Sequence, residues 1–153
     1  MLTGKGIGVA MLDTGIFPHI DFAGRILAFQ DFIYDRKTPY DDNGHGTHVA
    51  GILGGSGAAF QGKYKGVACG CNLLGIKVLD RNGNGEKESV IRSLDWIQKN
   101  RNRFQIRFIN ISVGTTQKEE HKDLIDAVER AWDAGMPESS KRWMNTRFQK
   151  DEA

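Results

Sequence analysis

No apolar run in this sequence approaches the roughly 20 residues that a bilayer-spanning helix needs, and the first residues lack the basic and apolar regions of a secretory signal. The expectation is a chain that neither spans a membrane nor exports itself, with a cytoplasmic location. Cysteine is scarce. Cys69 and Cys71 lie two apart in one short segment, so no disulfide framework can staple the domain, and a reducing compartment fits. Charge of one sign is lacking too: 21 Lys and Arg against 19 Asp and Glu leave a formal net charge of +2, which excludes drawing in nucleic acid by charge alone. What the chain does have is glycine, 19 of them against 3 prolines, a balance that indicates tight turns and close backbone approaches. With 153 residues, 39% hydrophobic and 26% charged, the chain has the size and composition of one globular domain, which excludes disorder throughout.

Ile7 to Leu12 is an almost continuous apolar run ending at Asp13-Thr14-Gly15, and a run without alternation predicts a strand buried on both faces of a covered parallel sheet. A second short strand is predicted over Ile26 to Phe32. A short helix follows from Gly44 to about Leu53, then a glycine-rich loop from Gly54 to Lys65. Cys71 to Leu79 reads as another buried strand, stopped by the turn residues Asp80-Arg-Asn-Gly-Asn-Gly85. Val90, Ile91, Leu94 and Ile97 recur three and four apart and predict a helix from about Glu86 to Asn100. Arg107 to Val113 is a strand and Glu119 to Ala134 a helix, stopped by Gly135. Strands alternating with helices give an α/β domain with a mostly parallel sheet. The last 18 residues, Met136 to Ala153, are polar with isolated aromatics where a buried strand is due, and read as a disordered or weakly helical tail.

Candidate chemistry lies at the carboxyl ends of the strands, where an open α/β sheet places its sites. Asp13 ends the first strand, and backbone donors from Thr14 and Gly15 would keep its carboxylate ionised and fixed. Alone, Asp-Thr-Gly is a strand-ending turn. The string Asn43-Gly-His45-Gly-Thr-His48-Val-Ala-Gly51 supplies a partner, because a neutral imidazole is the natural general base near neutral pH when a carboxylate fixes its tautomer. Asp13 is the candidate for that carboxylate.

Val9-Ala-Met-Leu-Asp-Thr-Gly15, followed by Asp42-Asn-Gly-His-Gly-Thr-His-Val-Ala-Gly51, resembles the Asp and His blocks of the subtilisin-like serine proteases, the subtilases. Further matching blocks are Gly66-Val-Ala, Ile76-Lys-Val-Leu79 and Ile109-Asn-Ile-Ser-Val-Gly114, so the resemblance runs from Gly4 to Gly135. It implies a subtilisin-like three-layer α/β/α fold, incomplete on its C-terminal side, with residues 1–135 a partial catalytic domain and 136–153 unmatched. It also implies serine endopeptidase chemistry, in which Asp13 orients His45 and His45 takes the proton of an attacking serine. His48 is implied to be a packing residue. An extended polypeptide substrate would add as a strand between Gly83-Asn84-Gly85 and Ser112-Val113-Gly114, where small residues let its backbone approach.

The family's oxyanion-hole Asn block and its Gly-Thr-Ser-Met-Ala-like nucleophile block do not occur in this sequence. None of Ser56, Ser89, Ser93, Ser112, Ser139 and Ser140 has the nucleophile's context, so no nucleophile is assigned and the isolated chain is expected not to hydrolyse peptides measurably. Only 12 residues precede Asp13. A non-catalytic peptide-binding module, or one that pairs with a separately made C-terminal half of the domain, is the alternative. A sheet stopped here exposes a flat edge, and aggregation or rapid turnover is the expected fate of the chain alone. His45-x-x-His48 with Asp13, Asp41 and Asp42 offers metal-ligand types, but no glutamate sits within the helix as a base, and no metal is predicted. Asp80-x-Asn82-x-Asn84-Gly85 matches the first half of a calcium loop, yet Ile91 stands where a bidentate Glu is required. Calcium is permitted and not predicted, and no other cofactor is expected. Gly4-Lys-Gly6-Ile-Gly8 precedes its strand and is no dinucleotide fingerprint.

Overall fold

The first strand, β1 (Gly8–Asp13), is buried at all six positions, as its unbroken apolar run requires. It is hydrogen-bonded on both sides, within a four-stranded sheet that also contains β2 (Ile26–Asp31), β3 (Asn72–Lys77) and β4 (Ile106–Ile111), in the order β2-β3-β1-β4. The structure is a computed structural model and describes residues 1–113 and 118–133. Every strand pairing in this sheet is parallel, with Asp13 opposite Lys77 and Leu12 flanked by Ile76 and Ile111. An antiparallel bridge joins Gly15 to Asp41 outside the strands. Helices α1 (His45–Gly54) and α2 (Lys87–Asn100) connect β2 to β3 and β3 to β4.

Side-chain alternation along β1 sends Val9 and Met11 to one face, where they join Leu73, Phe29, Phe22, Ile16, Cys71 and Ala50 of α1 in one apolar cluster. Ala10, Leu12, Leu74 and Ile76 occupy the alternate positions and are equally inaccessible. On α2 the buried positions are Ser89, Val90, Ser93, Leu94 and Ile97, so three of the four predicted stripe residues are buried and Ile91 is half-buried. The strand β4 lies at the edge of the sheet, with Arg107 exposed and Phe108 54% exposed.

Three glycines in ten residues make α1 an unfavourable helix by propensity, at about 1 kcal/mol each relative to alanine. Packing explains two of them. Gly46, Ala50 and Gly54 recur four apart and are the buried residues of α1. A Cβ on Gly54 would meet the Cys71 sulfur at 2.9 Å and Leu73 at 3.3 Å, and one on Gly46 would meet the Gly15 carbonyl at 2.2 Å. The small face lets α1 lie close to the ends of β1 and β3. His48, two positions from Gly46 and so on the far side of the helix, is exposed. The resemblance implied a packing role for it; among the described residues its side chain is exposed.

Residues 1–114 form one compact unit and 115–153 a second. In the second, the described part is α3 (Lys118–Asp133), the helix expected from Glu119 onward. The tail expected over 136–153 lies outside the described residues.

Candidate active site

Asp13 is the last residue of β1 and is fully buried, while His45 is the first residue of α1 with its side chain 54% exposed. The His45 Nδ1 atom lies 2.8 Å from Asp13 Oδ1 and 3.1 Å from Oδ2. A carboxylate only accepts, so the ring nitrogen that faces it carries the proton and donates, leaving Nε2 as an acceptor. The backbone N–H of Thr14 donates to Asp13 Oδ1 at 2.7 Å. The result is a carboxylate shielded from water and an imidazole held by one edge.

The first turn of α1 shows how the ring is aimed. A helix leaves its first N–H groups without partners inside the helix, and here three separate side chains take them. The His45 N–H donates to Asn43 Oδ1 at 3.0 Å, the Gly46 N–H to Thr14 Oγ1 at 3.0 Å, and the Thr47 N–H to Asp41 Oδ2 at 2.8 Å. The first bond within the helix then runs from the His48 N–H to the Gly44 carbonyl at 3.0 Å. Gly44 itself sits at φ +100°, a conformation that L side chains rarely adopt.

Asp41 is the hub of this turn. Its Oδ1 accepts from the Thr14 hydroxyl, Asn43 N–H and Gly44 N–H at 2.9, 3.1 and 2.8 Å, and its Oδ2 from the Thr47 hydroxyl at 2.6 Å as well as the Thr47 N–H. Burial by itself pushes the Asp41 carboxyl up, but the bonds from Thr47, Gly44 and Thr14 outweigh it and hold the group below the ordinary carboxylate range. Thr14 both donates to Asp41 and accepts from Gly46, so one hydroxyl ties the end of β1 to the start of α1. Neither Thr14 nor Asp41 was singled out for this from the sequence. The only local signal was the Asp41-x-Asn-Gly spacing of a side-chain-closed turn.

Gly83, Asn84 and Gly85 lie in an exposed turn after β3, closed by Asp80. Asp80 Oδ1 accepts from Asn82 N–H and Asn84 N–H at 2.8 and 3.0 Å. Gly83 has φ +80°, and a Cβ on Gly85 would lie 2.2 Å from the Val78 carbonyl. The Asn43 side chain donates to the Arg81 carbonyl at 2.9 Å, which links this turn to the His45 turn. Ser112 follows β4, where its N–H continues the ladder to Leu12 at 3.2 Å and its hydroxyl accepts from Asn110 Nδ2 at 3.1 Å. Val113 is half-buried beside it, and Gly114 lies outside the described residues. The strand order puts β3 and β4 on either side of β1, so the Gly83–Gly85 and Ser112–Val113 segments leave the sheet on either side of the strand that carries Asp13.

Among the described residues no three His, Cys, Asp or Glu side chains gather where a metal ion could be held. None of the described hydroxyl groups is hydrogen-bonded to His45 Nε2; the side-chain bonds of the ring are those to Asp13.

Comparison with known proteins gives concordant results. The model of the subtilase family, Peptidase_S8, matches residues 4–144. Serine protease AprX of Bacillus subtilis is 44% identical over 142 residues, covering 88% of this chain and 32% of that protein. Minor extracellular protease Epr of the same organism is 38% identical over 135 residues, covering 88% of this chain and 19% of the relative. Among solved structures, a cold-adapted subtilisin-like serine proteinase matches with a TM-score of 0.72 at 34% identity, over 88% of this chain and 45% of that one. Sphericase matches with a TM-score of 0.72 at 28% identity, over 89% and 45%. The chain thus spans less than half the length of each of these proteins.

Proposed function

This chain belongs to the subtilase family, and on that premise we propose that it carries the general-base half of a serine-type endopeptidase. The observation that supports this most directly is the 2.8 Å contact between a buried Asp13 carboxylate and the Nδ1 edge of a half-exposed His45 ring. Held in that way, Nε2 takes the proton of a serine hydroxyl as it attacks a peptide carbonyl, and Asp13 stabilises the imidazolium that forms. The same nitrogen then returns the proton to the leaving amine. These are proton transfers between side chains and substrate, and the reading assigns no cofactor to them.

The substrate in this reading is an extended polypeptide. Its backbone would pair with Gly83-Asn84-Gly85 on one side and Ser112-Val113-Gly114 on the other, as an added strand. The attacking hydroxyl is assigned to none of the six serines of this chain. Residues 1–153 alone are therefore expected to show no hydrolysis of a fluorogenic peptide and no covalent labelling by an active-site phosphonate. Joined to the rest of a subtilase catalytic domain, the same residues should hydrolyse the peptide, and His45→Ala should then lower kcat by about 10⁶, as loss of the triad histidine does in subtilisin. Phosphonate labelling of a serine in the chain alone, or a chimera indifferent to His45→Ala, would overturn the reading. A chain that binds an extended peptide without cleaving it is favoured by the exposed Gly83–Gly85 turn, and peptide titration of the chain alone tests it.

A further inference from the structure

Lys77, the last residue of β3, is completely buried. An ammonium has three N–H donors and no acceptor, and here each finds one partner: the Thr14 carbonyl at 2.5 Å, Asp42 Oδ1 at 2.7 Å and the Leu79 carbonyl at 2.8 Å. The Tyr40 ring lies 5.2 Å from the same nitrogen, within cation–π range. Tyr40 is itself fixed, with its hydroxyl donating to Asp31 and its carbonyl accepting from the Ile16 N–H.

The three partners belong to three different segments of the site. Thr14 follows Asp13 and supplies both the N–H on its carboxylate and the hydroxyl that accepts from Gly46 of α1. Asp42 opens the turn that delivers His45. Leu79 leads into the turn that contains Gly83–Gly85, and its N–H, like that of Val78, donates to the Asp13 carbonyl. Filling this space alone would call for methionine, which has a similar length and no desolvation cost. A buried charge is costly unless it is paired and hydrogen-bonded, and its directional bonds are what it adds over an apolar side chain.

We propose that Lys77 is a positioning residue for the Asp13–His45 pair: its ammonium sets the spacing between the end of β1, the turn before α1 and the turn after β3, and so keeps the imidazole on the carboxylate. The Lys77 ammonium bonds the Thr14 carbonyl, Asp42 and the Leu79 carbonyl, not the His45 ring or the Asp13 carboxylate, and so acts through the backbone of Thr14 and the side chain of Asp42. The inference rests on the reading of Asp13 and His45 as a general-base pair, with Nδ1–H facing the carboxylate.

The experiment uses the whole 153-residue chain, labelled with 15N, and reads the His45 ring nitrogen shifts at a pH where the imidazole is neutral. These shifts report the ratio of the Nδ1–H to the Nε2–H tautomer, which a role confined to overall stability would not move. Lys77→Met, shown to be folded by a cooperative thermal melt, should lower that ratio about tenfold, equivalent to about 1.4 kcal/mol. A folded Lys77→Met chain with the wild-type ratio overturns the proposal. Should Lys77→Met fail to fold, Asp42→Ala decides, because that side chain is 30% exposed and water can enter in its place. A fall in the ratio supports the proposal, and an unchanged ratio overturns it. Asp13→Asn is the control that separates the two readings. If it leaves the ring unchanged, the general-base pair itself is refuted; if it moves the ring while Lys77→Met and Asp42→Ala do not, only the positioning role is.

Discussion

Gly46→Ala tests whether the approach of α1 to β1 is what sets the geometry of the site. In an ordinary helix interior this substitution gains up to about 1 kcal/mol from propensity. Here the new Cβ would lie 2.2 Å from the Gly15 carbonyl oxygen, 3.1 Å from the Gly15 nitrogen and 3.1 Å from Asp13 Cβ. The first contact is with backbone, so no rotamer change relieves it, and reaching the 3.0 Å lower limit of real Cβ contacts needs a retreat of at least ~0.8 Å. That retreat would stretch the 3.0 Å bond from the Gly46 N–H to Thr14 Oγ1 beyond hydrogen-bonding range. Overpacking strain of about 1–3 kcal/mol and a lost hydrogen bond of about 0.5–1.5 kcal/mol together exceed the propensity gain. The expected outcome is a net loss of about 1–3 kcal/mol in urea unfolding. Gly51→Ala, in the same helix with nothing within 4 Å of the new Cβ, is the matched control and should gain about 0.5–1 kcal/mol. A Gly46→Ala chain as stable as the parent, or a Gly51→Ala chain that loses more, would refute the close-approach account. In an active assembly the same ~1 Å displacement of His45 should cost about 10² in kcat.

Asp41 gives a pH dependence of definite sign. Its carboxyl is held low in the fold, so its contribution to stability is complete above the unfolded value of about 3.9 and is lost as pH falls from there through the lower folded value. Asp41→Asn should flatten that acid limb in unfolding measured across it, and a limb as steep as the parent's would contradict the assignment. Gly75→Ala places a Cβ 2.4 Å from Ile16 Cγ2 and 2.8 Å from Phe29 Cδ2 at the centre of the sheet. Crowding there should destabilise the chain by about 1–3 kcal/mol in urea unfolding, and a neutral result would mean that the apolar cluster is looser than described. Tyr40→Phe removes the hydroxyl donor to Asp31, which retains three backbone N–H donors from Ile33, Tyr34 and Arg36. A loss of about 1–3 kcal/mol is expected, and an unchanged melting temperature would count against that bond.

Much of the subtilisin-like fold was legible because its signals are local. The unbroken apolar runs ending at Asp13 and near Val78 gave the two central parallel strands, and the 3.6-residue spacing of Val90, Leu94 and Ile97 gave α2. The boundaries moved where hydrogen bonding is no longer regular. Both Val78 and Leu79 donate to the one Asp13 carbonyl, which ends β3 at Lys77 although the apolar run continues. At the site, Asp13 and His45 stood out because each sits in its own characteristic string. Thr14, Asp41 and Lys77 did not, because their bonds join residues 27, 32, 35 and 63 positions apart. A lysine inside an apolar run carries no local mark of the three acceptors that the fold brings to it. The exposure of His48 was hidden for a related reason: only the buried small face of Gly46, Ala50 and Gly54 reveals which side of α1 meets the sheet.

The central claim is that the Asp13 carboxylate holds His45 with Nδ1 protonated and Nε2 free to accept a proton. The 15N shifts of the His45 ring in the neutral chain, measured beside those of Asp13→Asn, test it most directly. The account predicts a ring fixed as the Nδ1–H tautomer in the parent chain and released to a mixture richer in Nε2–H in Asp13→Asn. A parent ring that is already Nε2–H, or one that Asp13→Asn leaves unchanged, would contradict it.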